Sequence, residues 1–299
     1  MGRDLAERFP IAAKTFAEAD EACGFALSRL CFEGPEDELK QTENTQPAIL
    51  TVSIAVLRVV AEHGVKPELA GGHSLGEWSA HVAAGTVSFA DAVRAVKARG
   101  RAMQQAVPAG QGAMAAVLQL DAAQVAEACA AAAKETGQVV AAANLNSPGQ
   151  TVISGAAAGV ERAVALCKEK GARRTVMLPV SAPFHCALMQ PAQEEVARVL
   201  AGLPVNDPAF PVAANVRGEL VTTAEAARDA LIRQVTGAVR WVDCVKALAD
   251  AGATAFVEVG PGKVLTGLMK QIDPAQKALN VEDSASLEKT LSELPSAAT

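Results

Sequence analysis

The segment GGHSLGEW, residues 71–78, has the Gly-x-Ser-x-Gly spacing of a nucleophile elbow, with Ser74 at its centre. In that motif a strand turns sharply into a helix and leaves the serine hydroxyl exposed at the turn. Residues 69–72 are typical of a short strand, and residues 77–84 predict a helix that ends at Gly85. Both flanks fit the motif, which favours a nucleophile over a glycine-rich loop that happens to contain a serine.

The two glycines of the motif have a predicted steric role. A Cβ at Gly72 or at Gly76 is expected to collide with neighbouring backbone where the chain turns. The N–H of Leu75 lies at the start of the predicted helix, where the amide dipoles favour negative charge. This amide is therefore a candidate donor to an oxyanion formed beside Ser74.

A serine nucleophile needs a base, and the chain has four histidines. His63 ends a predicted helix, His73 is expected to point away from the adjacent serine, and His81 lies on the following helix. His185, in the loop sequence SAPFHCALM, is the remaining candidate base. A single histidine is more often structural, so this assignment depends on the exclusion of the other three. Cys186 is a weak candidate nucleophile because adjacent side chains rarely face each other.

Arg99 does not follow the charge pattern of its own helix. The helix predicted over residues 89–107 has a buried stripe on one face, and its other basic residues cluster on the opposite face. Arg99 lies at the edge of the buried stripe. A partly buried guanidinium favours a carboxylate in bidentate geometry. That carboxylate belongs either to a substrate or, as an ordinary structural ion pair, to one of the 33 acidic residues.

Composition excludes several classes of function. The 299 residues carry a net charge of −6, so no basic surplus is available to neutralise nucleic-acid phosphates. Tyrosine is absent and aromatic residues make up 3% of the chain, which disfavours base stacking. The longest apolar run, residues 48–57, lies in a predicted helix over 48–62 and is too short to span a membrane; the N-terminus has no signal core. We expect a cytoplasmic protein that binds neither nucleic acid nor membrane.

The cysteines indicate neither a disulfide framework nor a metal site. They are scattered along the chain without metal-ligand spacing, at Cys23, Cys31, Cys129, Cys167, Cys186 and Cys244. Most lie in apolar surroundings, so we expect buried free thiols in a reducing compartment. The sequence GPGK, residues 260–263, lacks the spacing of a phosphate-binding loop and predicts the start of a helix.

The order of predicted elements divides the chain into two domains. Residues 111–182 are predicted as strand, helix, strand, strand, helix, strand, which is the ferredoxin-like pattern. The turn sequences PAG, residues 108–110, and SAP, residues 181–183, bound this segment, which predicts a compact inserted domain. The flanks, residues 1–110 and 183–299, alternate strand, turn and helix and predict one large α/β domain with a mostly parallel sheet.

Several motifs together resemble the malonyl-CoA:acyl-carrier-protein transacylases of bacterial fatty acid synthesis. The likeness runs in one order from Met1 to about residue 275 and is far more specific than Gly-x-Ser-x-Gly alone. Its motifs are GHSLGEWSAHVAAG, Arg99, NLNSPGQTVISG, PVSAPFHCALM, LIRQV and VEVGPGKVLTGL. The resemblance implies an α/β-hydrolase-like large domain and a ferredoxin-like small domain, in agreement with the order of elements.

The resemblance implies a two-step acyl transfer in which coenzyme A thioester is a substrate and not a cofactor. Ser74 matches the nucleophile that takes malonyl as a serine ester, and His185 matches the general base and acid. Leu75 matches one oxyanion donor through its amide. Gln234, in LIRQV, matches the residue that hydrogen-bonds and orients the histidine in place of a hydrolase carboxylate.

The resemblance also implies residues that bind the substrate. Arg99 matches the clamp for the free carboxylate of malonate. An arginine left unpaired in a dry cleft is costly, so acetyl, which lacks that carboxylate, is expected to be a poor substrate. Asn144 and Asn146 belong to a motif that lines the cleft between the domains, where a contact with the pantetheine arm is expected.

The family pattern begins with a strand and a PGQGSQ loop, and neither precedes the helix-like start at Met1. The second glutamine of that loop is the family's other oxyanion donor, which would leave Leu75 as the only donor beside Ser74. Loss of one donor typically costs about 10²–10³ in rate. Loss of the strand would expose unpaired edges in a parallel sheet. We expect mass spectrometry of the native protein to find residues upstream of Met1.

Two other functions remain open on the sequence alone. A serine hydrolase such as a thioesterase would use Ser74 in the same way, although its histidine is expected near the C-terminus and none follows His185. A non-catalytic remnant that binds a carrier protein would follow from the missing N-terminal segment. Transfer, hydrolysis and inactivity are distinguished by the fate of a labelled malonyl group.

The family's protein partner is an acidic acyl carrier protein, and the densest basic cluster lies in the predicted small domain. This basic cluster comprises Lys168, Lys170, Arg173 and Arg174. It is a candidate docking patch, although a solvated helix end is an equally good explanation. The protein is expected to be a monomer.

Overall fold

Helices fill the first third of the chain, and strands are concentrated in its middle. The computed structural model describes residues 1–294. The helices are α1 Arg3–Arg8, α2 Pro10–Cys23, α3 Leu27–Glu33, α4 Glu36–Leu39, α5 Thr42–Glu62, α6 Leu75–Ala83, α7 Phe89–Gln105, α8 Ala122–Thr136, α9 Ala157–Glu169, α10 Gln190–Ala201, α11 Ala224–Arg233, α12 Trp241–Asp250, α13 Val264–Ile272 and α14 Ser284–Glu293. The strands are β1 Ala70–Gly71, β2 Gly112–Leu118, β3 Val140–Ser147, β4 Gln150–Ala156, β5 Arg174–Met177, β6 Val212–Ala214, β7 Glu219–Val221, β8 Ala255–Val259 and β9 Lys277–Val281.

The main core forms around α5. Its apolar side chains pack with those of α2 and α7 in one cluster that includes Phe16, Val56 and Val96. Each such side chain, when fully buried, stabilises the fold by about 1.5–3 kcal/mol. By length and composition α5 is the one helix of the described chain that could cross a membrane, but 67% of its most apolar stretch is buried inside the fold. It is therefore a core helix.

Helix α5 begins at Thr42, earlier than the start at Ala48 that the sequence predicts. Pro47 removes one main-chain hydrogen bond but has a helical φ angle, so the preceding turn can persist where packing supports it. That support comes from α7, because a Cβ at Gly100 would lie only 2.6 Å from the main-chain oxygen of Thr42. The extra turn carries Gln46.

The large domain contains two small sheets. In the first, β1 pairs parallel with β6, and β6 pairs antiparallel with β7. The second consists of β8 and β9, which are parallel. Residues 215–218 join β6 to β7 in a short turn, with Gly218 at a φ of 67°, and a connection of this length allows only antiparallel pairing. The predicted parallel sheet is thus present in two pieces, and within residues 1–294 β1 pairs with β6 alone and β8 with β9 alone.

The small domain has the ferredoxin-like strand order. Strands β2 to β5 form an antiparallel sheet in the order β3-β4-β2-β5. Helices α8 and α9 pack on it around a core of its own, which includes Val117, Val125, Ile153 and Val160. The predicted fold class, an α/β-hydrolase-like large domain with a ferredoxin-like small domain, is confirmed. Residues 295–299, which the predicted large domain includes, lie outside the described residues.

Strand β3 connects the two domains. The N–H of Leu145 donates to the carbonyl oxygen of Val239 at 2.9 Å, and the N–H of Val239 donates to the carbonyl oxygen of Ala143 at 2.8 Å. Phe184 packs against apolar clusters of both domains. The end of β3 and the segment that follows β5 therefore lie together where the domains meet.

Gly100→Ala is predicted to destabilise the fold, because the new Cβ would lie 2.6 Å from the oxygen of Thr42 and 2.8 Å from Cα of Glu43. Overpacking of this kind costs about 1–3 kcal/mol, which thermal unfolding detects as a lower melting temperature. The matched control is Gly267→Ala in α13, where a Cβ meets no atom within 4 Å. Helix propensity predicts that this control gains up to about 1 kcal/mol. A Gly100→Ala protein as stable as wild type would contradict the tight contact between α5 and α7.

Candidate active site

Ser74 occupies a sharp turn between β1 and α6, as the motif predicts. Its φ and ψ angles are 52° and −104°, a conformation that residues other than glycine rarely adopt. A Cβ at Gly72 would lie 2.0 Å from the carbonyl carbon of Gly76, so only glycine fits there. A Cβ at Gly76 meets no atom within 4 Å. The steric expectation for Gly76 is therefore wrong, because its backbone, and not the space beside its Cα, makes the close approach.

His185 lies beside Ser74, with its Nε2 atom 2.8 Å from the serine Oγ. Its Nδ1 atom is 2.9 Å from the main-chain carbonyl oxygen of Gln234. Because a carbonyl oxygen can only accept, Nδ1 carries the proton and Nε2 presents a lone pair to the serine. The serine O–H therefore donates to the histidine, as general-base activation requires.

Gln234 contacts His185 through its main-chain carbonyl, whereas the sequence suggests a side-chain partner. The residue is the C-cap of α11, and the last carbonyl groups of a helix have no intrahelical donor. The side chain of Gln234 instead accepts from Nη2 of Arg99 at 2.9 Å and donates to the carbonyl oxygen of Ser74 at 2.8 Å. Its amide N–H also donates to Oε2 of Glu77 at 2.7 Å.

Arg99 is 2% exposed and points at the serine. Its Nη2 donates to Oγ of Ser74 at 3.1 Å, and its Nη1 donates to Oε1 of Gln46 at 2.6 Å. Within residues 1–294 no carboxylate lies within 4.0 Å of the guanidinium, so the ordinary structural ion pair that the sequence left open is not present. The guanidinium is thus held in place by neutral acceptors.

The main-chain N–H of Leu75 remains a candidate oxyanion donor. The N–H of Ser74 donates to Oδ1 of Asn215 at 2.7 Å and is therefore occupied. Leu75 begins α6, and its N–H has no main-chain acceptor in residues 1–294. The first amides of a helix lack intrahelical acceptors and carry its positive dipole end, which favours a developing negative charge.

The two predicted asparagines lie at the junction of the domains. Nε2 of His73 lies 2.8 Å from Oδ1 of Asn146, so this side chain reaches the residue before the nucleophile. Asn144 is 7% exposed, and its backbone bridges to Val239 of the large domain. His73 points away from Ser74, as the sequence suggests.

Sequence reasoning missed three polar residues of the site: Gln46, Glu77 and Asn215. All three are buried, with Glu77 and Asn215 at 0% exposure. Glu77 follows Ser74 by one helical turn, which was a usable signal for a side chain on the same face. Asn215 directly follows β6, the parallel neighbour of β1, and this pairing is known only from the structure.

Burial sets the charge states of the site. Burial, and then the positive charge of Arg99, lower the pKa of His185 to about 3. Burial raises the pKa of Glu77 to about 7, opposed by its hydrogen bonds and by Arg99. Burial lowers the pKa of Arg99 to about 10, which leaves it a cation at neutral pH. The site therefore combines a neutral histidine with a buried arginine cation.

Other candidate sites do not develop in the structure. Residues 1–294 contain no group of three or more metal-ligating side chains. The start of α13, after GPGK, is occupied by the carboxylate of Glu258, which accepts from the N–H groups of Leu265 and Thr266 at 3.0 and 2.7 Å. The thiol of Cys186 is buried, donates to the carbonyl oxygen of Pro183 and has a pKa raised by burial, which is unsuited to a nucleophile.

Gly72→Ala is predicted to disable Ser74, whereas Gly76→Ala is its matched control. The first variant places a Cβ 2.0 Å from backbone, and the second places it in open space. The measurement is the rate at which a fluorophosphonate labels Ser74. Misplacement of a reacting group by about 1 Å costs about 10²-fold, so Gly72→Ala should label at least that much more slowly. Gly76→Ala should label at a rate close to wild type, and equal rates for the two variants would contradict the steric argument.

Labelling of Ser74 is predicted to persist far into the acid range. Only the neutral form of His185 can accept the serine proton, and its pKa of about 3 keeps that form dominant well below the ordinary histidine value of 6.5. Arg99→Gln removes the positive charge that, after burial, lowers the pKa of His185. In this variant the pH at which labelling falls off on the acid side should therefore rise towards 6.5. The measurement is the rate of fluorophosphonate labelling as a function of pH, for wild type and for Arg99→Gln. An apparent pKa of labelling near 6.5 in wild type, unchanged in Arg99→Gln, would contradict this electrostatic account.

Comparison with known proteins places the chain in one family. The model of the acyl transferase domain matches residues 1–293. The chain is 52% identical over 273 residues to the malonyl CoA-acyl carrier protein transacylase of Escherichia coli O157:H7. This alignment covers 91% of this chain and 88% of that protein. It is 46% identical to the protein of the same name in Bacillus subtilis (strain 168), over 98% of this chain and 92% of that protein.

Solved structures agree with the sequence comparison. An acyl carrier protein S-malonyltransferase from Vibrio cholerae superposes with a TM-score of 0.94 at 48% identity, covering 97% of this chain and 94% of that one. A malonyl-transacylase in complex with its holo type II PKS acyl-carrier protein superposes with a TM-score of 0.94 at 46% identity, covering 98% and 95%. With a matching family model over nearly its whole length and relatives of this similarity, the chain belongs to the acyl transferase domain family.

Proposed function

We propose that this enzyme transfers a malonyl group from coenzyme A to the pantetheine thiol of an acyl carrier protein, through an ester on Ser74. The observation that carries the proposal is Arg99, a buried guanidinium with neutral hydrogen-bond acceptors, 3.1 Å from the serine hydroxyl oxygen. A buried cation without a bonded counter-ion, beside a nucleophile, favours an acyl group that carries a free carboxylate. Malonyl has such a carboxylate, and the names of the curated relatives agree with it.

In the first step, Oγ of Ser74 attacks the thioester carbonyl carbon while Nε2 of His185 takes the hydroxyl proton. The new C–O bond forms as the carbonyl electron pair moves to oxygen, and the amide of Leu75 donates to that oxyanion. When the tetrahedral intermediate collapses, the C–S bond breaks. The proton on His185 passes to the leaving sulfur, and free coenzyme A departs.

In the second step, the thiol of the carrier protein repeats the attack on the serine ester. His185 takes the thiol proton, the new C–S bond forms, the ester C–O bond breaks, and the proton returns to Oγ of Ser74. The net change is the exchange of one thiol for another, so the proposed reaction consumes no cofactor. The neutral carbonyl of Gln234 stabilises the imidazolium less than a carboxylate would, which suits a proton that must leave again.

Arg99 selects the substrate in this scheme. One methylene separates the malonyl carboxylate from the ester carbonyl, so the carboxylate reaches the guanidinium that now donates to Ser74. Gln46 accepts from Nη1 of that guanidinium, and Gln234 accepts from Nη2, the nitrogen that also donates to Ser74. An acetyl group would leave the buried cation unpaired, which costs far more than the loss of surface contact.

The two alternatives raised by the sequence have less support. A thioesterase of the hydrolase fold would present an acidic residue to the histidine, whereas Nδ1 of His185 meets a main-chain carbonyl. A non-catalytic remnant would not need Ser74, His185 and Arg99 within hydrogen-bond distance of one another. Both observations favour transfer.

We also propose that the carrier protein docks on the basic cluster and that the pantetheine arm contacts Asn144 and Asn146. Of the basic cluster, Lys168 and Lys170 are at the end of α9 and Arg174 is on β5, which forms an edge of the small-domain sheet. Lys170 is already paired with Glu127 at 2.9 Å, so its charge is partly compensated. Asn144 and Asn146 are assigned to the pantetheine arm because both lie where β3 crosses to the large domain.

The remaining assignments concern organisation and location. We propose domain bounds at 111–182 for the small domain, with 1–110 and 183–299 forming the large one, since the small-domain core is separate from the others. The six cysteines are unpaired and buried, which supports a cytoplasmic location. A cytoplasmic monomer that supplies malonyl groups to fatty acid synthesis is the role we assign.

The direct test incubates the protein with radiolabelled malonyl-CoA, with and without holo acyl carrier protein. We expect label on Ser74 without the carrier and on the carrier thiol when it is added. Ser74→Ala should carry no label. Free malonate as the main product would identify a hydrolase, and absence of any label would identify a remnant.

Arg99→Ala is predicted to lose the preference for malonyl over acetyl. Because a buried cation no longer has to be paired, the ratio of acylation rates for the two thioesters should fall by about 10²-fold or more. Arg101→Ala is the matched control, since Arg101 lies on the exposed face of the same helix. An unchanged preference in Arg99→Ala would show that the carboxylate clamp is elsewhere.

A further inference from the structure

We propose that Glu77 is a positioning residue. One of its two carboxyl oxygens, Oε2, fixes the position of Ser74 relative to His185 through the residues that it bonds. Oε2 accepts from the main-chain N–H of Asn215 at 3.0 Å and from Nε2 of Gln234 at 2.7 Å. We call Glu77, Asn215 and Gln234 the buried brace; each is 0% exposed. The proposal concerns how Ser74 is activated, and its malonyl readout alone rests on the proposed function.

The backbone at both reacting residues needs such support. Within residues 1–294, positive φ angles at residues other than glycine occur at Ser74, at His185 and at Gln119, which is in the small domain. Two of the three are the nucleophile and its base. Conformations of this kind cost free energy and persist only where the surroundings fix them. The contacts that fix Ser74 and His185 are therefore part of how the site works.

Asn215 fixes the turn from one side. Its Oδ1 accepts from the N–H of Ser74 at 2.7 Å, and its Nδ2 donates to the carbonyl oxygen of Gly72 at 2.8 Å. The side chain thus spans the strand end and the serine, and its two partners leave only one orientation of the amide. The main-chain N–H of Asn215 is the group that Glu77 holds.

Gln234 fixes the turn from the other side. Its Nε2 donates to the carbonyl oxygen of Ser74 at 2.8 Å, so both main-chain polar groups of the serine are bonded to the brace. Its own carbonyl oxygen accepts from Nδ1 of His185 at 2.9 Å. Its Oε1 accepts from Arg99 at 2.9 Å. A shift of this one side chain would move the nucleophile, and the same residue orients the base.

Glu77 joins the two halves of the brace, because one oxygen accepts from both. Its second oxygen, Oε1, is buried and has no partner among the described residues. Burial raises the pKa of Glu77 to about 7, so the acid and the carboxylate are both populated at neutral pH, and in either form a buried oxygen without a partner costs free energy. The positive charge of Arg99 acts to lower the pKa of Glu77, and the amide of Gln234 bonds to both residues, with its N–H towards Glu77 and its oxygen towards Arg99.

Two substitutions of Glu77 distinguish the role of Oε2 as a hydrogen-bond acceptor from the role of the carboxylate charge. Glu77→Gln keeps the length of the side chain and an oxygen that can accept from both donors, and it removes the charge. Its new NH₂ group takes the position of Oε1, where its two N–H donors meet no acceptor among the described residues, so we expect a lower melting temperature while both accepted hydrogen bonds remain. Glu77→Asp keeps the charge but withdraws the oxygen by one methylene, out of reach of at least one donor. The brace therefore predicts that Ser74 is labelled at close to the wild-type rate in Glu77→Gln and slowly in Glu77→Asp.

The experiment measures the rate at which a fluorophosphonate labels Ser74, together with the melting temperature of each protein. In this labelling the O–P bond forms, the P–F bond breaks, fluoride leaves and the hydroxyl proton passes to His185. The probe has no carboxylate, so the readout does not need Arg99 to bind a substrate. We expect Glu77→Gln to label at a rate close to wild type and Glu77→Asp to label about 10²-fold more slowly.

Three results would overturn the proposal. The first is wild-type labelling by a folded Glu77→Asp protein. The second is labelling of a folded Glu77→Gln protein as slow as that of Glu77→Asp, which would show that the oxygen acceptor kept in Glu77→Gln does not position Ser74. If Glu77→Asp does not fold, Glu77→Met replaces it, because this variant keeps the length of the side chain and removes both carboxyl oxygens; slow labelling supports the proposal, and a wild-type rate overturns it.

A second readout separates this inference from the proposed function. Malonyl transfer by wild type, Glu77→Gln and Glu77→Asp is compared as kcat and KM, and the brace predicts that Glu77→Asp loses mainly kcat. If the labelling rates follow the prediction while no protein transfers malonyl, the brace stands and the proposed function fails. If wild type transfers malonyl but the labelling rates do not separate the variants, the brace fails and the function stands.

Discussion

The site depends on the hydrogen bonds of one residue, Gln234, which uses its main chain and its side chain for different tasks. The carbonyl at the end of α11 has no helical donor and accepts from Nδ1 of His185, which leaves Nε2 for the serine. The side-chain amide holds Ser74 and Glu77 with its N–H groups and Arg99 with its oxygen. Because all of these groups are buried, a single misplaced partner leaves a polar atom without water to replace it, and the geometry is strongly specified.

The same burial explains why the site favours acyl transfer with a charged acyl group. A neutral partner on the histidine keeps the imidazolium weakly stabilised, so one ring can take a proton from each incoming oxygen or sulfur and return it. A guanidinium held by neutral acceptors is available to a carboxylate, whereas one held in an ion pair would not be. The low pKa of His185 follows first from burial and then from the positive charge of that cation.

Much of this arrangement could be predicted from the sequence, and the failures have physical causes. The elbow was readable because its steric constraint is local: Gly72 must lack a Cβ, and the flanks must be strand and helix. His185 was found by elimination among four histidines, and Arg99 by its position on a helical face. Gln46 was missed because Pro47 hid the first turn of α5. Asn215 meets Ser74 only through tertiary contact across 141 positions, which no local pattern records. The atom by which Gln234 acts depends on where α11 ends, and helix ends are poorly defined in sequence.

The most direct test of the account is the protonation state of His185, measured by ¹⁵N NMR of histidine-labelled protein at neutral pH and assigned with the His185→Gln variant. The account predicts a neutral ring with the proton on Nδ1 and a lone pair on Nε2, because the carbonyl of Gln234 can only accept. A ring protonated on Nε2, or a fully protonated imidazolium, would contradict it, since neither form could take the proton of Ser74.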